Sequence, residues 1–276
     1  MGVDYIKPYW ETDSCALFQC DNLDLLKCLP NNYIDLIYCD ILYNTGKKFD
    51  NYNDNLGTTQ QAIDWYIPRL IEMKRVLKDI GSIYIQCDYR LVHYLKVEMD
   101  NIFGIENFKN EIIWWYKRWS NVSKNYQRMH DTILFYTKTK DFIFNIQYQE
   151  YSKPETIEKT IRKTIDGKLQ RVKDENGNYI ERQKENKGVP LHDVWELQHI
   201  QPTAKERIGY DTQKPKALLE RIIRASSNEG DIVADFFMGS GTTGEVALEL
   251  GRKFVGCDIG EKACEITQGR LERIVK

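Results

Sequence analysis

An acid, two apolar residues and an aromatic ring, Asp40-Ile41-Leu42-Tyr43, follow a short apolar run in this 276-residue chain. At a strand tip they would set a carboxylate, a main-chain carbonyl and a ring around one planar amine. Methyl transfer to an exocyclic base amine needs those parts, because the amine lone pair is delocalised into the ring and is a poor nucleophile. Accepting its two hydrogens at Asp40 and at the carbonyl of Ile41 pulls the nitrogen toward tetrahedral geometry, while Tyr43 stacks on the base. The base must leave the duplex to reach them. An acid three residues before an aromatic is a weak sign alone, and the second constellation says more. Ile232-Val233-Ala234-Asp235 runs into Phe236-Phe237-Met238-Gly239-Ser240-Gly241-Thr242-Thr243-Gly244 and a helical pattern; then Lys253-Phe254-Val255-Gly256-Cys257 ends in Asp258. Strand, glycine-rich turn, helix and a following acid about 20 residues on make the nucleoside-binding half of a doubly wound sheet. The glycines let backbone approach a ligand, and the acid accepts ribose hydroxyls. No Lys follows the glycines, which excludes a phosphate-cradling loop, and without a third glycine NAD fits poorly. The alternative is an ordinary strand-to-helix turn.

Elements must bring the two groups together. Residues 16–20 read as a strand, followed by Asp21 and a helix with Leu23, Leu26 and Leu29 on its apolar side. Residues 34–39 form the next strand, ending at Asp40, and the polar stretch 46–59 is a loop long enough to be functional. A helix over 62–77, a strand over 82–88 ending in Asp88, a helix over 91–99 and a strand over 111–116 follow. Residues 132–136 and 142–146 look like short strands, and 174–178, flanked by 169–172 and 179–180, carry a hairpin signal. From Ile208 the alternation resumes, with Lys214-Pro215 opening a helix that feeds the glycine-rich turn. Strands alternating with helices call for a parallel, doubly wound sheet with ligands at the carboxyl ends of its strands. Asp21, Asp40, Asp88, Asp235 and Asp258 all fall at or just past strand ends, so they are expected to converge on one cleft.

The length supports one good core with an inserted or appended subdomain. No apolar run approaches the length of a membrane span and the first ten residues are mixed and polar, so neither a membrane segment nor a signal peptide is expected. Seven cysteines lack metal-site or disulfide spacing, which predicts no metal and a reducing, cytoplasmic setting. The net charge of −2 hides an asymmetry: residues 115–190 carry 16 Lys and Arg against 10 Asp and Glu. A basic middle segment on an acidic body suggests a module facing a polyanion, with a solvated insert as the alternative. Trp114 or Trp115 belongs to the core, whereas Trp119 beside Lys117 and Arg118 is a candidate for stacking on a base. His130-Asp131 is expected to hydrogen-bond structurally, since amine methylation needs no strong base.

Asp40-Ile41-Leu42-Tyr43-Asn44-Thr45-Gly46 resembles the Asp-Pro-Pro-Tyr-Asn-Thr-Gly signature of DNA amino-methyltransferases. The run from Asp235 to Thr243 resembles their S-adenosylmethionine motif, and residues 207–215 resemble the segment preceding it. With the catalytic signature first, then the basic insert, then the cofactor motif, the order resembles the β class, which includes type III modification subunits and orphan adenine methylases. The resemblance implies a Rossmann-like α/β fold with three parts: a catalytic half over 1–114, a target-recognition region over 115–201, and a cofactor half over 202–276. It implies S-adenosylmethionine as cofactor, with Asp21, Asp235, Phe237, Gly239, Gly241, Thr242 and Asp258 lining its site and Gln213 and Lys214 at its methionine end. Asp40, Ile41 and Tyr43 would be catalytic, and Asn44, Lys117, Arg118 and Trp119 would meet the substrate. An acid at position 40 points to the 6-amino group of adenine over the 4-amino group of cytosine. The implied partner is double-stranded DNA in a bacterial or phage context, with the target base flipped out; a homodimer and a restriction or methyltransferase partner subunit stay open. Ile41 and Leu42 depart from the signature by removing the fixed φ of two prolines, which predicts a loop less organised by about 1 kcal/mol or more. That departure keeps a second reading open, a weakened DNA-binding subunit needing an active partner. A third is an amino-methyltransferase of RNA, cytosine or a protein amide.

Overall fold

In the computed structural model the chain is described over residues 6–48, 53–118, 124–150, 162–180, 188–210 and 212–275. Among these, nine strands share one sheet: β1 Trp10–Glu11, β2 Cys15–Gln19, β3 Ile34–Asp40, β4 Leu77–Cys87, β5 Phe108–Trp115, β6 His130–Thr137, β7 Val194–Glu196, β8 Ile232–Asp235 and β9 Lys253–Asp258. Their order across the sheet is β1-β2-β9-β8-β3-β4-β6-β5-β7. Strands β2, β9, β8, β3 and β4 run parallel, β6 is antiparallel to both its neighbours, and β1 is antiparallel to β2. Six helices flank it: α1 Asn22–Cys28, α2 Thr59–Val76, α3 Val92–Phe103, α4 Lys216–Ser226, α5 Thr242–Glu249 and α6 Glu261–Leu271. This is the expected Rossmann-like, doubly wound architecture.

The central strand shows why. Residues Ile34 to Cys39 are all buried, as a parallel strand covered on both faces requires. Ile34, Ile37 and Cys39 pack with Leu25 and Leu26 of α1, Met73 of α2 and Leu95 of α3. Leu36 and Tyr38 pack with Leu219 and Ile222 of α4 and Ala247 of α5. A register shift between Ile34 and Leu36 lets Ile34 and Ile37 share a face. From β3 the chain crosses through α2 to β4 on one side, and from β8 through α5 to β9 on the other. The order therefore reverses between β3 and β8, and the crevice beyond their carboxyl ends is where such a sheet takes its ligand.

Several local expectations change. Residues 142–146 are not a strand: Phe142 and Phe144 pack on Phe135, with centroids 6.4 and 6.0 Å away, and Asn145 ties to Ala225 at the end of α4. Covering buried Phe135 with half-buried Phe142 and exposed Phe144 replaces strand pairing there. The stretch 46–59 holds a short antiparallel ribbon, Lys47–Lys48 with Asn53–Asp54. Helix α1 starts directly after its Asp21 cap, as expected, and buries Asn22, Leu25 and Leu26; Leu23 is only half-buried, and Leu29 caps the helix end, half-buried against the core.

Residues Ile146–His192 form a separate compact unit, whereas β6 and β7, which fall inside the region 115–201 expected to recognise the target, belong to the main sheet. Within that unit Tyr148–Gln149 pairs with Val189–Pro190. Its main hairpin pairs Arg162–Ile165 with Lys168–Arg171 around Asp166 and Gly167, both at positive φ. The hairpin anticipated around 174–178 is present but short: one antiparallel bridge joins Lys173 and Tyr179, flanked by the Asp174 N–H on the Asn178 carbonyl at 2.8 Å and the Ile180 N–H on the Val172 carbonyl at 2.9 Å.

Candidate active site

A cavity of about 480 Å³ opens at the carboxyl ends of β3, β8 and β9, within the range of small-molecule sites. Asp21, Asp40, Asp54, Asp235 and Asp258 line it, and Lys214 is the one basic residue among its described lining. The excess of carboxylates suits a cationic ligand, and Trp65 and Phe237 add apolar surface. Four of the five expected acids thus converge. Asp88 does not: it pairs with Arg90 and accepts the Arg90 backbone N–H at 2.9 Å.

The cofactor half is built around the turn between β8 and α5. Gly239 and Gly241 take φ of +47° and +73°, and a Cβ on Gly241 would lie 2.5 Å from the Thr267 methyl, so the turn needs glycine there twice over. Asp258 accepts the Gly239 N–H at 3.0 Å and the Gly260 N–H at 2.9 Å, which fixes the turn against β9. Asp235 accepts from Thr243 Oγ1 at 2.5 Å and from the Phe237 N–H at 3.0 Å. Those two bonds brace the turn, and burial pushes the Asp235 carboxyl up to about 7. Thr242 lines the cavity and accepts from Arg270 Nη1 at 2.9 Å. Asp21 caps α1 through the Leu23 N–H at 2.8 Å and holds Arg69 Nη2 at 2.8 and 2.9 Å. Arg69 lies 3.3 Å from the Trp65 ring centre and donates to Asn22, which in turn donates to the Phe236 carbonyl at 3.0 Å. These three residues, which the sequence did not single out, join α2 to the glycine turn through contacts between elements that no local spacing signals. Gln213 is off the cavity: its side chain is committed to the Glu206 carbonyl at 2.6 Å and the Ile208 N–H at 3.0 Å. A nucleoside with a cationic centre fits this half, between the Asp258 end of β9 and the aromatic wall.

In the other half, Asp40 ends β3 inside the cavity. Its Oδ1 accepts the Tyr43 hydroxyl at 2.8 Å and its Oδ2 pairs with the Lys214 ammonium. Tyr43 also reaches Asp131 Oδ2 at 3.2 Å and accepts from Gln86 Nε2 at 3.0 Å. The loop expected to suffer from its missing prolines is held by hydrogen bonds instead. The Ile41 N–H donates to the Gln86 carbonyl at 3.2 Å, and the Tyr66 hydroxyl donates to the Leu42 carbonyl at 2.8 Å. Buried Asp54 accepts the Asn44 N–H at 2.9 Å, the Thr45 N–H at 3.0 Å and the Thr45 hydroxyl at 2.5 Å. Asn44 therefore serves the loop: its side chain spans the Gly57 carbonyl at 3.0 Å and the Leu56 N–H at 2.8 Å, and it does not line the cavity. Lys117 and Arg118 lie beyond β5, off the cavity, with the Lys117 N–H on Gln198 at 3.3 Å. Trp119 lies outside the described residues. Trp114 is buried in the core.

Comparison with known proteins matches this geometry. The family described as DNA methylase matches residues 34–269. The DNA adenine methyltransferase YhdJ of Escherichia coli K12 is 34% identical over 254 residues, covering 91% of this chain and 81% of that one. Among solved structures, the cytosine-N4-specific PvuII DNA methyltransferase superposes with a TM-score of 0.66 at 16% identity, covering 98% of this chain and 93% of that chain. The M1.HpyAVI–SAM complex gives 0.59 at 22% identity, with 93% and 98% covered. The family match takes in the strand of Asp40 and the strand of Asp258 alike, so in both halves of its site the chain belongs to the DNA methylase family.

Proposed function

We propose that the protein methylates the 6-amino group of adenine in a specific sequence of double-stranded DNA, using S-adenosylmethionine. The observation that carries this is the shared cavity: Asp40 and Tyr43 at the tip of β3 face the space that Asp258 and the glycine turn border. When bound, S-adenosylmethionine supplies an electrophilic methyl group. Asp258 and the backbone around Gly239 hold its nucleoside, Trp65 and Phe237 enclose it, and the carboxylates favour its positive charge. Tyr43 orients the flipped base, while Asp40 and the Ile41 carbonyl accept the two amine hydrogens and free the lone pair. No strong base is required, because the methylated amine sheds its proton readily. Lys214 pairs with Asp40 until the amine arrives. The acid at position 40 and the adenine-specific relative favour adenine over the 4-amino group of cytosine. Residues 115–201 supply target recognition, with Lys117 and Arg118 at its start, and the enzyme works on DNA in the cytoplasm, alone or beside a restriction partner.

Sequencing DNA for modified bases from cells with and without the gene tests the reading and maps the target site at once. Methylated adenine is expected only with the gene present, and Asp40→Ala should erase it, since losing one preorganised interaction lowers rate about a hundredfold or more. Modification of cytosine alone would reassign the substrate. Silence of both proteins except beside a second methyltransferase would replace the enzyme with a partner subunit.

A further inference from the structure

Asp40 already has hydrogen-bond donors on both oxygens, Tyr43 on one and Lys214 on the other. A substrate amine must displace or share them, and each hydrogen already there weakens the pull on the amine. The Tyr43 hydroxyl has one hydrogen and two carboxylates in reach, Asp40 Oδ1 at 2.8 Å and Asp131 Oδ2 at 3.2 Å. Asp131 is buried and rigidly held. Its Oδ1 accepts the Tyr116 hydroxyl at 3.1 Å, and its Oδ2 accepts Gln86 Nε2 at 3.3 Å. Gln86 is itself fixed by the Tyr38 hydroxyl at 2.7 Å, and it donates to the Tyr43 oxygen at 3.0 Å, leaving that oxygen's hydrogen free to choose.

Resting on the function proposed above, we propose that Asp131 is a positioning residue that takes over the Tyr43 hydroxyl hydrogen when the target amine engages Asp40. No heavy atom has to move. Rotation about the Tyr43 Cζ–Oη bond turns the hydrogen from one carboxylate to the other, releases Asp40 Oδ1 to the amine, and leaves no buried hydroxyl unsatisfied. Without Asp131 the hydroxyl has only Asp40 to donate to, and the amine must compete with it. The device favours a base that carries an amine over one that lacks it, because only an amine offers Asp40 a replacement hydrogen.

The test is a double-mutant cycle on the full-length enzyme. Its readout is binding to duplexes carrying adenine, or purine without the 6-amino group, at the mapped target position. Wild type should prefer adenine. Asp131→Ala should cut that preference on the order of tenfold, the effect of about one hydrogen bond, and Asp131→Asn should restore most of it. The amide oxygen of Asn can still accept from Tyr43 while its nitrogen donates to the Tyr116 oxygen. In a Tyr43→Phe background, with no competing hydroxyl, Asp131→Ala should change the preference less than about twofold. An equal loss in both backgrounds would make Asp131 merely structural and overturn the proposal. Should Asp131→Ala fail to fold, Tyr43→Phe alone decides: a kept or increased adenine preference supports competition for Asp40, and its loss overturns it. A wild type that transfers no methyl group to adenine sinks the parent reading, and this proposal with it, before any variant is made.

Discussion

At the level of single residues, Asp258 and Ile41 make opposite predictions about the two halves of the site. Asp258→Ala removes the acceptor expected for the ribose hydroxyls and also frees the Gly239 N–H it now holds at 3.0 Å. S-adenosylmethionine binding should weaken by roughly 1.5–3 kcal/mol, the range for hydrogen bonds to a charged group; titration calorimetry on the folded variant checks it, and unchanged affinity would take Asp258 out of the site. Restoring a proline at position 41 should not help, because the Ile41 N–H donates to the Gln86 carbonyl and proline has no hydrogen to give. Ile41→Pro should therefore lower kcat, where a merely floppy loop would have predicted a rise. Asp235 sets a pH dependence. Burial raises its carboxyl to about 7, so the folded state binds that proton more tightly than the unfolded chain, whose Asp titrates near 3.9. The stability this contributes is complete below that value and is lost as pH rises through 7. Thermal melts of wild type should fall from pH 5 to 8, and Asp235→Asn should flatten the fall.

Among the elements, the segment from Asp40 to Asp54 is where sequence and structure part company. The convergence of the three acids at the ends of β3, β8 and β9 on one cavity was legible because an apolar run closing on an acid is a local pattern that sheet topology makes convergent. Asp131, Gln86 and Arg69 were not, since each acquires its role from partners on other elements that no spacing reveals. Asn44 shows the reverse error: its place in the signature pointed at substrate, yet a polar side chain between two loop backbones satisfies the loop first. The strand expected over 142–146 failed for a related reason, as Phe142 and Phe144 gain more by covering Phe135 than by pairing. What replaced the prolines is Asp54, buried and accepting three hydrogen bonds. Asp54→Ala should release the loop, lower kcat on the order of tenfold and cost roughly 1–3 kcal/mol of stability, because three donors lose their buried acceptor while little apolar packing is lost. A large drop in Tm with unaltered kcat would show that Asp54 serves the core instead.

For the molecule as a whole, charge and topology are distributed unevenly along the chain. The compact unit of residues 146–192 presents Lys163, Lys168, Arg171 and Lys173 as exposed cations on and beside its hairpin. Replacing residues 162–180 with a short Gly-Ser linker should weaken duplex binding and leave cofactor affinity intact. It should also flatten the salt dependence of that binding, by about 0.9 in log–log slope for each phosphate no longer neutralised; an unchanged slope would place the DNA-binding surface elsewhere. The sheet order carries a consequence for synthesis on the ribosome. Strands β8 and β9, emerging late, fill the slot between β2 and β3, which emerge early. At roughly 5–20 residues per second the gap lasts on the order of tens of seconds. Through that interval the nascent chain holds two unpaired strand edges facing an empty slot, so neither half of the cavity has its other wall. Chains stalled before Ile232 should be caught by chaperones or aggregate, and methyltransferase activity should appear only once β8 and β9 have emerged and paired.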